Sequence, residues 1–278
     1  MAELAFKAVA LKGHSLSVLL VLTLGLATEL SSAAQTPSSP GSQPNIDEEA
    51  QRAYRAGTAA ATNNDFKTAE AELEKVVRLV PQVEEGHSTL GAVLLRLGKL
   101  QQAIKELETA LELKPGDVSA QTNLALAYEQ TGANKKAITL FKKVETDAQR
   151  KRASESSRAL PSYVLAAYAR SLAGTGQFAA ATAKMKTAVA ESPQSAELHD
   201  SLGSLYAQQS GWPAAVDEFQ KAIQLNPELA AAHMHLGVAL LALQQTAAAI
   251  DELILATQKA PDNAVAATEL GRAYAANN

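Results

Sequence analysis

One glycine position recurs through this chain at a spacing of 34 residues, and this spacing constrains the fold more than any other feature. Its members are Gly57, Gly91, Gly203, Gly237 and Gly271. The interval from Gly91 to Gly203 is 112 residues, which is three periods plus 10 extra residues. An alanine series and a proline series keep the same register: Ala69, Ala103, Ala137, Ala181, Ala215 and Ala249; Pro81, Pro115, Pro193, Pro227 and Pro261. Such a repeat predicts a stack of similar units that complete one another's cores.

The repeat accounts for the chain from residue 50 to its last residue, within an array assigned to 47–278. The predicted units are 50–83, 84–117, 118–151, 162–195, 196–229 and 230–263, with a terminal half unit at 264–278 and an insertion at 152–161. Each unit contains two apolar runs at helical spacing, separated by a break such as Gly98-Lys99. We therefore predict that each unit is a pair of antiparallel helices joined by a tight turn.

The repeat pattern resembles that of the tetratricopeptide repeat (TPR) family, whose signature is W-x2-L-G-x2-Y, then A-x3-F, then P. The fifth unit carries it as Leu202, Gly203, Tyr206, Ala215, Phe219, Ala222 and Pro227. The signature Trp is replaced throughout, by Ala53, His87, Gln121, Leu165, His199, His233 and Ala267. The resemblance implies an all-α fold, a right-handed α-solenoid whose first helices line a concave surface. We interpret the three histidines as packing and hydrogen-bonding groups within a helix pair.

The N-terminus has the pattern of a secretory signal peptide, predicted at 1–34. Lys7 and Lys12 precede an apolar run of 12 residues at 16–27, and small residues follow at 32–34. The run is short for a membrane-spanning helix, which needs roughly 20 apolar residues. Export to the periplasm or the medium is expected, with a retained membrane anchor as the alternative. Residues 35–46 are Pro- and Ser-rich and predict a disordered linker.

Composition narrows the classes of function. The net charge is −4 and aromatic residues make up 4% of the chain, so no basic, stacking surface for nucleic acid is expected. The chain has no cysteine, which excludes disulfides and thiolate metal sites. No H-E-x-x-H motif or glycine-rich phosphate loop occurs, and the segment around Ser88 departs from the G-x-S-x-G elbow. We expect no catalytic residues, no metal, no cofactor and no enzymatic activity.

The resemblance also implies which residues face the concave groove. We predict a partner-binding groove formed by Tyr54, Leu95, Leu126, Tyr163, Arg170, Met234, Val238 and Leu241. The last three form an apolar patch that suits an apolar peptide or helix. The alternative is that this patch packs against a neighbouring unit or another copy of the chain. The basic clamp with which some family members hold a peptide carboxylate is missing, so that activity is not implied.

The segment 146–161 is locally basic, with Arg150, Lys151, Arg152 and Arg158. It is either a docking site for an acidic partner, or a lengthened helix followed by a solvated loop that could act as a joint. For the whole chain we predict an exported, non-enzymatic scaffold of a bacterial envelope that binds a protein or peptide. The alternative is a self-associating structural or accessory subunit of an envelope assembly or polymer-processing complex. In that case an uncleaved N-terminus could hold it at the membrane.

Overall fold

The structure, a computed structural model, describes residues 46–152 and 160–277. All regular secondary structure in this part of the chain is α-helical, which confirms the predicted all-α class. The predicted signal peptide, all but the last residue of the predicted linker, and residues 153–159 of the insertion lie outside the described residues. The described residues divide into two compact units, here called the N-unit (46–152) and the C-unit (160–277).

The N-unit consists of three successive helix pairs. Their helices are α1 Ile46–Thr62, α2 Phe66–Leu79, α3 Glu84–Arg96, α4 Leu100–Leu113, α5 Val118–Gln130 and α6 Asn134–Arg152. Helix α6 has 19 residues, whereas α2 and α4 have 14 each. The first part of the segment 146–161 therefore continues a helix, as one of the two interpretations of this segment expected.

The C-unit consists of three further pairs and one terminal helix. Its helices are α7 Ser162–Gly174, α8 Phe178–Glu191, α9 Ala196–Gln208, α10 Trp212–Leu225, α11 Ala230–Ala242, α12 Thr246–Lys259 and α13 Ala264–Asn277. Within each unit, every helix packs against the helices next to it in the sequence. Each unit is therefore a stack of helix pairs of the α-solenoid type.

The recurring glycine lies where the two helices of a pair come closest. A Cβ atom placed on Gly91 would lie 2.5 Å from Cγ of Leu107, and one placed on Gly237 would lie 2.6 Å from Cγ of Leu253. Gly57 and Gly203 face Leu73 and Phe219 in the same way. All four of these large side chains are fully buried. The 34-residue glycine spacing thus reflects a repeated notch that a leucine or phenylalanine of the second helix fills.

The turn inside each pair also repeats, although its sequence does not. One turn residue has a positive φ in all six pairs: Asn64, Gly98, Gly132, Gly176, Ser210 and Gln244. The next residue closes the turn by donating its N–H to a carbonyl five residues earlier, as Lys99 does to Leu94 at 2.9 Å. Three turns use glycine, which adopts this conformation without a Cβ penalty, and three use other residues. The Gly98-Lys99 break in the sequence is therefore one example of a turn that all six pairs share.

A search for membrane-spanning segments was limited to 46–152 and 160–277. No helix there combines the length and the apolar character needed to cross a bilayer.

Candidate functional site: the first-helix faces

Four of the eight predicted groove residues are buried and four are partly accessible. Those with at most 5% exposure are Leu95, Leu126, Met234 and Val238. Those of intermediate exposure are Tyr54, Tyr163, Arg170 and Leu241. The N-unit holds Tyr54, Leu95 and Leu126, and the C-unit holds the other five. We call the side of the first helices that carries these residues the first-helix face.

The predicted apolar patch is mostly part of the core. Val238 belongs to a buried cluster that contains Phe219, and Met234 belongs to another that contains Leu253. Leu241 packs against both clusters and stays partly accessible. Of the two interpretations of the patch, the structure therefore favours packing against neighbouring helices for Met234 and Val238. The cluster of Val238 includes residues of α9 and α10, and the cluster of Met234 includes residues of α12 and α13.

The partly accessible residues lie at defined positions of their helices. Tyr163 and Arg170 are seven residues apart on α7, which places them two turns apart on one face. Tyr54 on α1 reaches the next pair, where its Oη lies 3.2 Å from Oγ1 of Thr89 on α3. Tyr54, Tyr163 and Arg170 are therefore only partly accessible.

A buried ion pair connects two first helices of the C-unit, and the sequence prediction missed it. Nδ1 of His235 on α11 lies 2.7 Å from Oδ1 of Asp200 on α9, and both residues are less than 4% exposed. The two residues are 35 apart, as are Tyr54 and Thr89. One repeat plus one residue is thus the spacing that joins consecutive first helices. Polar pairs sought at this spacing would have revealed the contact.

One turn along α9 from Asp200, Ser204 has a buried hydroxyl. Ser204 Oγ and Ser201 Oγ have no hydrogen-bond partner among the described residues. A buried hydroxyl without a partner costs free energy, so neither serine adds to stability through its polar atom. The polar centre of the C-unit core is therefore the His235–Asp200 pair.

Three of the replaced Trp positions form what we call the histidine bridge. Nδ1 of His87 lies 2.7 Å from Oε2 of Glu106 on the second helix, and Nε2 lies 3.1 Å from the carbonyl oxygen of Pro81. The same two contacts recur for His199 with Glu218 and Pro193, and for His233 with Glu252 and Pro227. Each bridge fastens both helices of a pair to the end of the preceding repeat. The histidines therefore form hydrogen bonds within a helix pair, as the sequence analysis inferred, and in addition contact the preceding repeat.

A pair of carboxyl groups lies between α3 and α5 in the N-unit. Asp117 caps α5 and accepts hydrogen bonds from the N–H of Ser119 at 2.8 Å and from Oγ of Ser88 at 2.9 Å. Burial, followed by the hydrogen bond to Asp117, raises the pKa of Glu84 to about 7. Burial also acts on Asp117, but hydrogen bonds from Glu84 and Ser88 hold the pKa of Asp117 below its usual value. Of the two carboxyl groups, Glu84 therefore binds a proton more readily, and Lys114 Nζ lies 3.3 Å from Oε2 of Glu84.

The described residues contain few groups of side chains that are suited to catalysis or metal binding. Across 46–152 and 160–277, no group of three or more His, Asp or Glu side chains could hold a metal ion. A shallow cleft of about 290 Å³ is lined by α2, α3 and α4, including Glu74, Lys105 and Glu106. Glu106 belongs to a histidine bridge, and Ser88 donates to a helix-capping carboxylate. The side chains gathered here hold helices together, and this arrangement favours a binding role.

Comparison with known proteins agrees with this architecture. Residues 88–154 match a family model described as tetratricopeptide repeat, and residues 203–244 match one described as TPR repeat. A TPR repeat-containing protein of Pseudomonas aeruginosa is 37% identical over 101 residues, which is 36% of this chain and 41% of that protein. The match thus spans about two-fifths of the length of this relative. Together these findings support the predicted tetratricopeptide repeats over residues 88–154 and 203–244.

Solved structures support the fold. The TPR protein YrrB, whose structure is described as having an unusual peptide-binding site, has a TM-score of 0.55 at 19% identity. That match covers 70% of this chain and 96% of YrrB. PilF of Pseudomonas aeruginosa has a TM-score of 0.63 at 12% identity, covering 84% of this chain and 99% of PilF. At these identities the likeness establishes the fold alone.

Proposed function

We propose that this chain, which carries tetratricopeptide repeats in both of its units, is a non-enzymatic scaffold that binds a protein or peptide. The repeat builds a row of first helices whose buried sides are fixed by stacking. Side chains that remain accessible on that row are consequently held in place before a partner arrives, which lowers the entropic cost of binding. The peptide-binding site named for YrrB is a property of that protein, and it supports the same class of role here by analogy.

The observation that carries this proposal is the mixture of accessible groups on the first-helix face of the C-unit. Tyr163 and Arg170 share one face of α7, and Leu241 remains partly accessible on α11. An aromatic ring and an arginine are the residue types most often found at binding hot spots. We infer that the partner segment presents apolar side chains.

We also propose that the protein is exported, to the periplasm or beyond it, in a bacterium. The charged start, the short apolar run and the small residues of 1–34 support this. A membrane contact is part of the proposal only if that segment is retained. Self-association, or an accessory role in an envelope complex, is the alternative that the experiment below must separate.

The test is affinity capture with the full chain, comparing matched variants. Leu241→Glu places a charge on the first-helix face, whereas Leu255→Glu places the same charge on α12, where Leu255 is 38% exposed. The bait would be exposed to an envelope extract of the source organism, and retained proteins would be identified by mass spectrometry. We expect a protein that the wild type and Leu255→Glu retain and that Leu241→Glu loses.

Circular dichroism would first establish that both variants are folded. Equal retention by both would contradict binding at the first-helix face. Recovery of the chain itself as the dominant retained protein, with a solution mass twice that of the monomer, would instead support self-association.

A further inference from the structure

Helix α6 is strongly basic in a chain that is acidic as a whole. Its 19 residues include seven basic and two acidic side chains, whereas the net charge of the whole chain is −4. Five of these cations are exposed, and we call them the basic stripe: Lys135, Lys136, Lys142, Lys143 and Arg150. Positive charge is therefore concentrated on one helix of the N-unit.

The helical period places the five cations on one face. Every seventh residue returns to nearly the same side of a helix, about 10 Å further along its axis. The stripe consists of two such rows, Lys135 with Lys142 and Lys136 with Lys143 and Arg150. Thr139 and Thr146 lie between the rows and are also exposed, so no carboxylate interrupts the stripe. The opposite side of α6 is held in the core through the buried Phe141, so the stripe is a fixed surface about 22 Å long.

One row of the stripe has no carboxylate partner in the protein. Several cations in other parts of the chain form ion pairs: Lys75 with Glu72, Lys99 with Glu70, Lys114 with Glu84, Lys259 with Glu228, and Arg272 with Glu269. Among the described residues, Lys135 and Lys142 form no ion pair. Their positive charge is therefore available to a partner.

The second row is held in place by weaker contacts. Lys143 donates from Nζ to the carbonyl oxygen of Pro115 at 3.2 Å, and Lys136 lies over an aromatic ring. Arg150 lies 3.4 Å from Oδ1 of Asp147, but its side chain is 76% exposed. An exposed ion pair of this length contributes little stability and leaves the guanidinium accessible. This row thus presents positioned cations beside the unpaired row.

The neighbouring helix α4 limits the width of a partner for the stripe. Nζ of Lys136 lies 4.8 Å from the centre of the Tyr128 ring, and the hydroxyl of Tyr128 donates to Oε1 of Glu108 on α4. Glu108 is exposed, as is Glu112 one turn further along α4. These carboxylates would repel a broad anionic surface, such as a bilayer or a DNA duplex, whereas a narrow segment lying along α6 avoids them. The stripe also lacks the exposed aromatic rings on which single-stranded nucleic acids stack.

We propose that the basic stripe binds an acidic segment of another protein, whose carboxylates recur about every 10 Å, as they do at every seventh residue of a helix. Each exposed ion pair adds little by itself, but the two rows engage several carboxylates at once. The opposite charges also accelerate association. The stripe does not include any residue of the first-helix face. The scaffold would therefore carry a second binding surface, which goes beyond the function proposed above.

The probe is a fluorescent peptide of about four heptads with two adjacent glutamates in each heptad, so that the carboxylates form two rows on one helical face. A second peptide has the same composition, with its glutamates distributed evenly around the helix. Fluorescence anisotropy with the full chain at about 50 mM salt should show saturable binding of the first peptide. Binding of the second peptide should be about fivefold weaker. Raising the salt to about 300 mM should weaken both.

Two double variants of the protein localise the binding. Lys135→Gln with Lys142→Gln removes the unpaired row, and this variant should fold normally and bind the first peptide about fivefold more weakly. Lys67→Gln with Lys105→Gln makes the same change in net charge at exposed positions of α2 and α4 and should bind like the wild type. Leu241→Glu, which tests the first-helix face, should also leave binding of this peptide unchanged. The two binding surfaces can therefore fail separately.

Three results with the peptides would overturn the proposal: no saturable binding, equal binding of the two peptides, or an equal loss in the two double variants. A different occupant would overturn it as well. Tighter binding of vesicles of anionic phospholipid, or of a DNA duplex, that is lost in Lys135→Gln with Lys142→Gln would assign the stripe to a membrane or to nucleic acid. A dimer that the same variant dissociates would assign it to a second copy of the chain.

Discussion

The polar contacts between consecutive repeats include the His235–Asp200 pair in the C-unit and the Glu84–Asp117 pair in the N-unit, and these two pairs differ in chemistry. In the C-unit an imidazole and a carboxylate, His235 and Asp200, meet at 2.7 Å with complementary roles. In the N-unit two carboxyl groups, Glu84 and Asp117, meet and are compatible only while one of them holds a proton. The same type of helix-pair repeat thus accommodates a histidine–carboxylate pair in one unit and a pair of carboxyl groups, one of them protonated, in the other. The two units should therefore respond differently to substitution and to pH.

The largest effect is expected from breaking the His235–Asp200 pair of the C-unit. Asp200→Ala leaves the imidazole of His235 buried without its carboxylate, which should lower the free energy of unfolding by about 3–5 kcal/mol. Trp212 is the single tryptophan of the chain and packs against the cluster that contains Leu236, so its fluorescence reports on this unit. Urea unfolding followed through Trp212 measures the change.

The matched control removes both polar groups. Asp200→Leu combined with His235→Leu should be much less destabilising than Asp200→Ala, since neither member of the pair is then left buried without the other. If Asp200→Ala costs less than about 1 kcal/mol, the pair does not hold the first helices together.

The second prediction keeps the polar pairs and changes only the packing that both units share. Gly91→Leu in the N-unit and Gly237→Leu in the C-unit should each lower the free energy of unfolding by about 3 kcal/mol, the upper part of the range for overpacking. Gly271→Leu should be neutral or slightly stabilising, because its side chain enters open space and leucine favours a helix more than glycine.

Thermal unfolding by circular dichroism would compare the three glycine variants directly. Equal destabilisation at Gly91 and Gly237 would show that the units differ in their polar pairs and not in their cores. A large loss at Gly271 would mean that its notch is already occupied.

The spacing of glycine, alanine and proline was sufficient to predict the helix pairs, because those residues mark close contacts that every repeat must keep. This spacing was insufficient to predict which side chains of the groove are accessible. Met234 and Val238 lie at positions that the family pattern assigns to the concave surface, yet both are buried in clusters that include residues of other helices. How far a neighbour covers a position depends on the side chains of both helices. One repeat read alone does not contain that information.

The polar contacts also show that one repeat alone does not reveal the contacts between repeats. His87 was expected to bond within its pair, and it does, but its second contact goes back to Pro81 of the preceding repeat. His235 lies two residues from His233 and shares no helical face with it, and its partner is Asp200 on another helix. Contacts one repeat away are visible in a sequence only when pairs are sought at the repeat spacing.

The third prediction concerns pH and the N-unit. The pKa of Glu84 is about 7 in the folded protein and 4.5 in a model peptide. Between these values the folded state binds more protons than the unfolded state, so stability is full below about pH 4.5 and falls as the pH rises through 7. At about 1.36 kcal/mol per pKa unit, reduced by solvent screening, we expect a loss of about 1–2 kcal/mol.

Glu84→Gln should abolish this decrease, since glutamine resembles the protonated acid. Glu85→Gln, on the exposed neighbour, is the control and should retain it. Hydrogen exchange of α3 and α5 amides at pH 5 and pH 8, corrected for intrinsic rates, measures the change locally. A decrease that persists in Glu84→Gln would assign the pH dependence to another group.

The smallest expected effect comes from completing an incomplete bridge in the N-unit. In the third unit Gln121 donates from Nε2 to the carbonyl oxygen of Pro115 at 2.7 Å, but its Oε1 is buried without a partner among the described residues. Leu140 stands where the bridging repeats carry glutamate. Gln121→His with Leu140→Glu should therefore recreate the bridge of His87 and stabilise the N-unit by about 1 kcal/mol.

Each single variant is the control for the double variant. Gln121→His alone leaves a ring nitrogen without an acceptor, and Leu140→Glu alone adds a carboxylate without a donor, so neither should stabilise the N-unit. A double-mutant cycle by urea unfolding isolates the coupling between the two new side chains. A coupling near zero would mean that the histidine bridges position the helices without stabilising them. The residue at the position of the signature Trp, histidine or glutamine, would then affect the geometry of stacking and not the stability. This would also explain why Ala53 and Leu165 occupy the same position in other repeats.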